Sequence, residues 1–156
     1  MNNLLAQIKQ YSSCDITIIG IGNAMKGDDG FGPVLISRLQ GKTKMRLFDC
    51  GQVPENYAQP IIRSRPQALI VIDAADFAGR VGELRIINKE DIANYGFSTH
   101  NASLGIFFDY LMQQLPELNI FIIGVQVGTK CLMQSLSPEV QMALNELVSF
   151  FSGVPE

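Results

Sequence analysis

The sequence predicts an α/β fold, a three-layer α/β/α domain around a mostly parallel, twisted sheet of about five strands. Apolar, β-branched blocks alternate with amphipathic stretches along the chain, which is typical of successive βα units. The blocks at 15–22 and 68–74 are apolar almost throughout, as expected for parallel strands that are buried on both faces. With 156 residues, 47% of them hydrophobic and 17% charged, the chain is predicted to form one domain over 1–156.

The individual elements are predicted from local patterns. The run DITIIGIG at 15–22 ends in glycines and precedes a helix with a proline in its first turn, where a missing N–H is tolerated. A Ser-Pro-Glu sequence at 137–139 provides a cap, a first-turn proline and an acidic first turn for the final helix. Further strands are predicted at 45–50, 83–88 and 119–125, with the one at 83–88 as an antiparallel edge. The helix with the first-turn proline is predicted at 30–40, and further helices at 55–64 and 102–115.

Composition narrows the range of functions. The net charge is -3, the calculated pI is about 5.1, and no two Lys or Arg residues are adjacent, so we expect no nucleic-acid partner. Three widely spaced cysteines form no C-x-x-C pair and no disulfide framework, which fits a reducing compartment. The N-terminus lacks a secretory pattern, and no apolar run of about 18 residues suggests a membrane span. We therefore expect a cytoplasmic protein without membrane insertion.

Polar residues follow the predicted strands at one edge of the sheet, where ligands bind in folds of this kind. Asp28 and Asp29 lie in the glycine-rich loop after the first strand, Asp73 ends the strand at 68–74, and Asp76 follows it. His100 is the only histidine and precedes the helix predicted at 102–115. A helix N-terminus favours the neutral imidazole, which is the form that binds metals. Two carboxylates and one imidazole suit a borderline divalent ion such as nickel or zinc.

Other interpretations of these residues remain open. Asp28 and Asp29 could simply cap the helix that follows them. Glycines between a strand and a helix also occur in nucleotide sites, but a third Rossmann glycine and a G-K-[ST] sequence are both missing, and the two carboxylates would repel a phosphate. A carboxylate at the end of a buried strand, such as Asp73, is unfavourable unless it is paired, hydrogen-bonded or bound to a cation. The combination of Asp29, Asp73 and His100 therefore favours a metal site.

Five motifs resemble the hydrogenase maturation endopeptidases, especially the branch that processes hydrogenase 3-type enzymes. The resemblance extends from about residue 16 to the final helix. The motifs are G-N-x-x-x-G-D-D-G-x-G-P at 22–33, D-x-G-x-x-P-E-N at 49–56, I-V-I-D-A-A-D at 70–76, G-E-L-R-I-I at 82–87 and S-T-H-N at 98–101.

The resemblance implies an endopeptidase that removes the C-terminal extension of a nickel-loaded [NiFe]-hydrogenase large-subunit precursor. It assigns Asp29, Asp73 and His100 as nickel ligands and catalytic residues, with the nickel supplied by the substrate; another divalent metal could substitute. Asp28 and Asp76 are candidates for carboxylates that orient a ligand or water. Two features depart from the family pattern: an extra amphipathic segment at 1–13, and Val127 where a proline is expected.

Two further functions remain as alternatives. The same metal ligands could serve a metal-dependent hydrolase of a small substrate, which predicts an enclosed pocket rather than an open groove around His100. They could also belong to a non-catalytic nickel-recognition module, which predicts binding of the precursor without cleavage. The sequence suggests no serine or cysteine nucleophile with a base partner, because its one histidine is assigned to the metal.

Overall fold

The computed structural model describes residues 6–8, 10–97 and 101–153, with only the backbone described at 93, 94, 101 and 102. The strands are β1 (Ile16–Ile21), β2 (Arg46–Gly51), β3 (Ala68–Asp76), β4 (Leu84–Ile87), β5 (Gly96–Phe97) and β6 (Asn119–Gln126). The helices are α1 (Phe31–Leu39), α2 (Ala58–Ser64), α3 (Asn101–Gln114) and α4 (Pro138–Ser152). Two 3-10 helices, Gly27–Gly30 and Pro54–Tyr57, precede α1 and α2 directly. Among the described helices, none is both long and apolar enough to cross a membrane.

The strand order in the sheet is β2-β1-β3-β6-β4. Strands β2, β1, β3 and β6 are parallel, β4 is antiparallel to β6, and β5 pairs antiparallel with the end of β3. The chain passes from β1 to β2 on one side and then to β3 on the other side of β1. The strand order therefore reverses between β1 and β3, and a crevice at their carboxyl ends is the usual ligand position in such sheets.

Helices cover both faces of the sheet and enclose two apolar cores. One core contains Ile16 and Ile18 of β1 with the apolar faces of α1 and α4, and the other contains Ile19 and Ile21 with α2 and α3. This division follows from the alternation of side chains along a strand. Ile8, from the extra N-terminal segment, is fully buried in the first core.

Helix α1 approaches the sheet closely because its second residue is a glycine. A Cβ atom at Gly32 would lie 2.6 Å from the Ile21 nitrogen and 2.7 Å from the Ile72 carbonyl oxygen. Both atoms belong to the sheet backbone, which cannot yield as a flexible side chain would. Gly32 therefore allows the start of α1, and the loop before it, to lie directly over β1 and β3.

The predicted three-layer α/β fold is confirmed, and the predicted strands and helices have observed counterparts within a few residues. The structure adds one element, because β3 continues past 74 to Asp76 and its last two residues pair with β5. The sheet consequently has six strands rather than five. The possible antiparallel edge strand at 83–88 is confirmed as β4.

Candidate functional site

Asp29 lies in the 3-10 helix between β1 and α1, and its side chain is only 4% exposed. The Asn23 N–H donates to the Asp29 carboxylate Oδ2 at 3.1 Å and to the Asp29 carbonyl oxygen at 3.0 Å. The Asp29 N–H in turn donates to the Lys26 carbonyl oxygen at 3.1 Å. The loop thus folds back on itself around Asp29 and fixes the orientation of the carboxylate.

Asp73 lies on β3 and is fully buried. Strand β3 pairs with β1 as far as Ile72 and with β6 beyond Asp73, which lies opposite Gly124, so the backbone at Asp73 is positioned where the pairing with β1 ends. The Ala74 N–H donates to its Oδ1 at 2.7 Å. Residues Leu69, Val71 and Ala75 share the strand face of Asp73 and pack with α2 and α3.

The segments that carry Asp29 and Asp73 are in contact. The 3-10 helix Gly27–Gly30 packs against β3, and Gly32, three residues after Asp29, faces the carbonyl of the residue before Asp73. The two segments therefore meet at the carboxyl ends of β1 and β3, where the strand order reverses. Carboxylate oxygens are common ligands of divalent metals.

His100, the third predicted ligand, lies outside the described residues. Helix α3 begins at Asn101 and packs on the sheet face toward which Asp73 projects. In the described ranges 6–8, 10–97 and 101–153, no group of three or more His, Cys, Asp or Glu side chains could hold a metal ion. The complete set of ligands therefore stays a prediction.

Asp28, predicted to orient a ligand or water, is fully buried and hydrogen-bonded to the loop after β6. Its Oδ2 accepts hydrogen bonds from the Gly128 N–H at 2.8 Å, the Thr129 N–H at 3.0 Å and the Ser137 hydroxyl at 3.0 Å. Its Oδ1 accepts a hydrogen bond from the Ser137 N–H at 2.6 Å. These contacts assign Asp28 to holding the segment 128–137 against the candidate site.

Ser137 was predicted to cap the last helix and does occupy the N-cap position of α4. Its hydroxyl makes no capping hydrogen bond to the helix and donates to Asp28 instead. The side chain that a local sequence pattern assigns to helix α4 therefore connects that helix to the loop of Asp29.

Asp76, the other candidate for orienting a ligand or water, is exposed at the end of β3. Its Oδ1 accepts hydrogen bonds from the Gln126 amide and the Ala78 N–H, both at 3.1 Å. The hydrogen bond from Gln126, with that from Ala78, lowers the pKa of Asp76 below its ordinary value. The carboxylate is therefore ionised at neutral pH and connects the ends of β3 and β6.

Gln126 is a functional candidate that the sequence analysis did not select. It is 5% exposed, and its Oε1 accepts hydrogen bonds from the Phe77 N–H at 2.9 Å and the Gly79 N–H at 3.0 Å. It thereby fixes the turn that follows β3. The signal was available, because Gln126 is a polar residue at the end of a buried strand, as Asp73 is.

Val127 departs from the proline that the family pattern led us to expect. Its N–H donates to the Ala75 carbonyl oxygen at 3.2 Å, which extends the contact between β6 and β3 by one residue. A proline has no N–H and could not make this hydrogen bond.

A small open groove lies between the loops after β1 and β2. It has a volume of about 260 Å³ and is lined by Gly22, Asn23, Ala24, Pro33, Asp49, Gly51 and Gln52. The Asn23 side-chain amide donates to Gln52 Oε1 at 3.2 Å, which connects the loops after β1 and β2. The groove is smaller than the roughly 300–1,000 Å³ pockets that enclose small-molecule ligands.

Cys50 lies beside this groove, but its thiol is not available as a nucleophile. The residue is 4% exposed, and burial, reinforced by Asp49 and Glu55, raises the pKa of the thiol to about 12. The reactive form of cysteine is the thiolate, so a thiol that stays protonated is inert at neutral pH. Cys14 and Cys131 are exposed and free.

Comparison with known proteins gives a consistent result. The model of a family described as hydrogenase maturation protease matches residues 34–152, a range that contains Asp73 and begins after Asp29. A putative hydrogenase maturation protease of Methanocaldococcus jannaschii is 32% identical over 146 residues, covering 86% of this chain and 84% of the relative. The hydrogenase 3 maturation protease of Escherichia coli is 36% identical over 112 residues, covering 70% of each chain.

The fold is similar to that of solved structures of the same kind. The crystal structure of a [NiFe] hydrogenase maturation protease from Thermococcus kodakarensis superposes with a TM-score of 0.79 and 31% sequence identity. The superposition covers 89% of this chain and 90% of that protein.

Proposed function

This chain belongs to the hydrogenase maturation protease family, and we propose that it selects its substrate by the nickel that the substrate carries. As a member of this family it is an endopeptidase that removes the C-terminal extension of a hydrogenase large-subunit precursor. We further propose that the precursor belongs to a [NiFe]-hydrogenase and is loaded with nickel before cleavage. Asp29, Asp73 and His100 bind that nickel, and the contact positions the scissile bond.

The observation that supports this proposal is that two buried aspartates lie on contacting segments where the strand order reverses. Asp29 is 4% exposed and Asp73 is fully buried, and they come from the segments after β1 and within β3. Burying a carboxylate is unfavourable unless hydrogen bonds or cations compensate its lost hydration. A divalent ion delivered by the substrate would supply a compensating positive charge during catalysis.

Each of the three side chains has a distinct part in the proposal. Asp29 and Asp73 offer oxygen ligands in orientations that the backbone fixes through Asn23 and Ala74. His100 offers a nitrogen ligand, which suits nickel better than carboxylates alone would. The Cys50 thiol is buried and its pKa is raised to about 12, so this cysteine has no part in the proposal as a nucleophile.

The small-substrate hydrolase stays an alternative, because the enclosed pocket that it predicts would lie around His100, outside the described residues. Neither Asp29 nor Asp73 lines the groove between the loops after β1 and β2. Among the described residues, the lining is open to solvent and its volume of about 260 Å³ is below that of typical small-molecule pockets. Turnover of a small ester or amide in the absence of any protein substrate would support the hydrolase instead.

The test compares cleavage of nickel-loaded and nickel-free large-subunit precursor by the purified protein. We expect the wild-type protein to shorten only the nickel-loaded form, seen as a smaller band and a released C-terminal peptide by mass spectrometry. The variants Asp29→Asn, Asp73→Asn and His100→Ala should leave the precursor at full length. Asp109→Asn is the matched control, because it neutralises a carboxylate that pairs with Lys89 on the surface.

The possible outcomes separate the hypotheses. Normal cleavage by both Asp73→Asn and His100→Ala would exclude the proposed metal ligands. Equal cleavage of nickel-loaded and nickel-free precursor would exclude nickel as the selected feature. Nickel-dependent binding of the precursor without any cleavage would identify the chain as a non-catalytic nickel-recognition module.

A further inference from the structure

Three exposed apolar residues lie on two adjoining segments next to the loop of Asp29. Met25, Leu132 and Met133 are 53%, 66% and 75% exposed. The Met133 N–H donates to the Met25 carbonyl oxygen at 2.7 Å, which joins the segment after β1 to the segment after β6. We call these three residues the apolar rim. Contiguous exposed apolar side chains on a folded protein usually mark an interaction site.

The fold holds the apolar rim in place through hydrogen bonds to buried groups. Besides the four hydrogen bonds to the Asp28 carboxylate, the Asp28 N–H donates to the Thr129 carbonyl oxygen at 2.9 Å. The Gly27 N–H donates to the Gln134 carbonyl oxygen at 3.1 Å. Leu132 and Met133 therefore lie between anchored positions, so their exposure belongs to the folded conformation.

Met133 is also held in an unusual backbone conformation. Its φ angle is 62°, in the left-handed region that residues other than Gly, Asn and Asp rarely adopt. A methionine in this conformation, with three quarters of its surface exposed, contributes little to the folding of the isolated chain. A role in binding another molecule accounts for both features.

We propose that the apolar rim is a docking surface for the large-subunit precursor, where it contacts apolar side chains flanking the C-terminal extension. The inference rests on the proposed function. Met25 is four residues before Asp29 in the same loop, and the N–H of Asp29 is hydrogen-bonded to the residue after Met25. A precursor that delivers its metal to Asp29 therefore passes beside the rim. The rim side chains are uncharged, so the matching surface is apolar.

The test is steady-state cleavage of nickel-loaded precursor by the double variant Leu132→Ser/Met133→Asn. Asparagine is chosen at 133 because it tolerates the left-handed conformation. We expect KM to rise about tenfold, the ratio typical when anchor side chains of an interface are truncated, with kcat unchanged. The thermal midpoint should stay at the wild-type value, since both side chains are exposed. Met142→Ser is the matched control, because Met142 is 72% exposed on α4 outside the rim.

A wild-type KM for the double variant would overturn the inference, and so would a lower kcat at unchanged KM. Sedimentation could also show that the wild-type protein is a dimer and that the variant is a monomer, with KM unchanged. That result would assign the rim to contact with a second copy of the chain and would overturn the inference. Asp73→Asn is measured in the same assay. Loss of cleavage by Asp73→Asn together with a wild-type KM for the rim variant would reject the docking surface alone. Normal cleavage by Asp73→Asn would count against the proposed function itself.

Discussion

Replacement of Asp28 by asparagine should destabilise the fold strongly although it changes only one atom of the side chain. The carboxylate is fully buried and accepts hydrogen bonds from Gly128, Thr129 and both donors of Ser137. An asparagine side chain presents one oxygen and one amide group. If the asparagine oxygen takes the place of Oδ2, the three hydrogen bonds that Oδ2 accepts are kept but are no longer charge-assisted. The asparagine amide then takes the place of Oδ1 and faces the Ser137 N–H, so that two donors oppose each other.

The magnitude follows from these contacts. Losing one charge-assisted hydrogen bond removes about 1.5–3 kcal/mol, and the buried N–H left without an acceptor adds about 1–3 kcal/mol. Relief of the desolvation of a buried carboxylate offsets part of this loss. We expect a net decrease of about 2–4 kcal/mol in the free energy of unfolding. For a domain of this size, this corresponds to a Tm lower by roughly 5–15 °C.

Urea denaturation followed by circular dichroism measures the change, and hydrogen exchange locates it. The amides of Gly128, Thr129 and Ser137 should exchange faster in Asp28→Asn, whereas amides in β1 and β3 should be affected only through global stability. Asp91→Asn is the matched control, since Asp91 accepts a single long hydrogen bond, 3.3 Å from Asn88, at the surface. It should change the free energy of unfolding by less than about 0.5 kcal/mol.

The proposed role of Asp28 would be refuted if the free energy of unfolding of Asp28→Asn lay within about 0.5 kcal/mol of the wild-type value and amide exchange were unchanged. Its neighbour provides a second comparison. The Asp29 carboxylate accepts one hydrogen bond, from the backbone N–H of Asn23, and an asparagine side-chain oxygen can still accept it. Asp29→Asn should therefore change stability by less than about 1 kcal/mol while abolishing cleavage. The same substitution would then lower mainly stability at Asp28 and abolish mainly cleavage at Asp29.

Three further predictions concern residues around the site. Gly32→Ala forces a Cβ against backbone atoms of the sheet and should lower the free energy of unfolding by about 1–3 kcal/mol or more in denaturation experiments. Gln126→Leu removes the acceptor of two backbone N–H groups and the amide donor to the end of β3, so the turn 76–79 should lose hydrogen-exchange protection; an unchanged exchange pattern would contradict this role. Iodoacetamide at pH 8 should label Cys14 and Cys131 in the native protein but Cys50 only after unfolding, because Cys50 is buried and the pKa of its thiol is raised to about 12. Mass spectrometry counts the labels, and rapid labelling of all three cysteines in the native protein would contradict the burial of Cys50.

The raised thiol pKa also sets a dependence of stability on pH. The folded protein keeps the proton of Cys50 to about pH 12, whereas the unfolded chain loses it near the ordinary value of 9.0. Between these values the folded state binds more protons, so stability falls as the pH rises through this window. The contribution is fully present below pH 9. Cys50→Ala should flatten this fall in denaturation curves measured between pH 8 and pH 10.5.

The fold could be predicted from the sequence because its signals are local. The apolar runs at 15–22 and 68–74 and the helical spacing after 30 and after 138 each identify an element without knowledge of its neighbours. Strand β5 could not be predicted in this way. Its two residues, Gly96–Phe97, have no periodicity of their own and become a strand only because β3 extends to Asp76 beside them.

The site was predictable only in part, for a related reason. The rule that ligands lie at the carboxyl ends of parallel strands selected Asp29 and Asp73, and the structure brings their segments into contact. The same rule treated Asp28 as equivalent to Asp29, because the donors that distinguish it lie 100 to 109 residues away in sequence. Gln126 had the same strand-end signal as Asp73, but an uncharged amide was not considered as a candidate.

An ion that arrives with the substrate can be recognised only by ligands whose positions do not depend on the ion. The fold meets this requirement for two of the proposed ligands, Asp29 and Asp73. Asp73 is fixed by the strands on either side of β3, and Asp29 by a loop that closes on its own backbone. Asp28 then holds the neighbouring segment against that loop. The hydrogen-bond network thus provides the organisation that a resident metal would provide elsewhere. For this reason Asp28→Asn should reduce processing of the precursor even where the variant remains folded, although its carboxylate contacts only the protein.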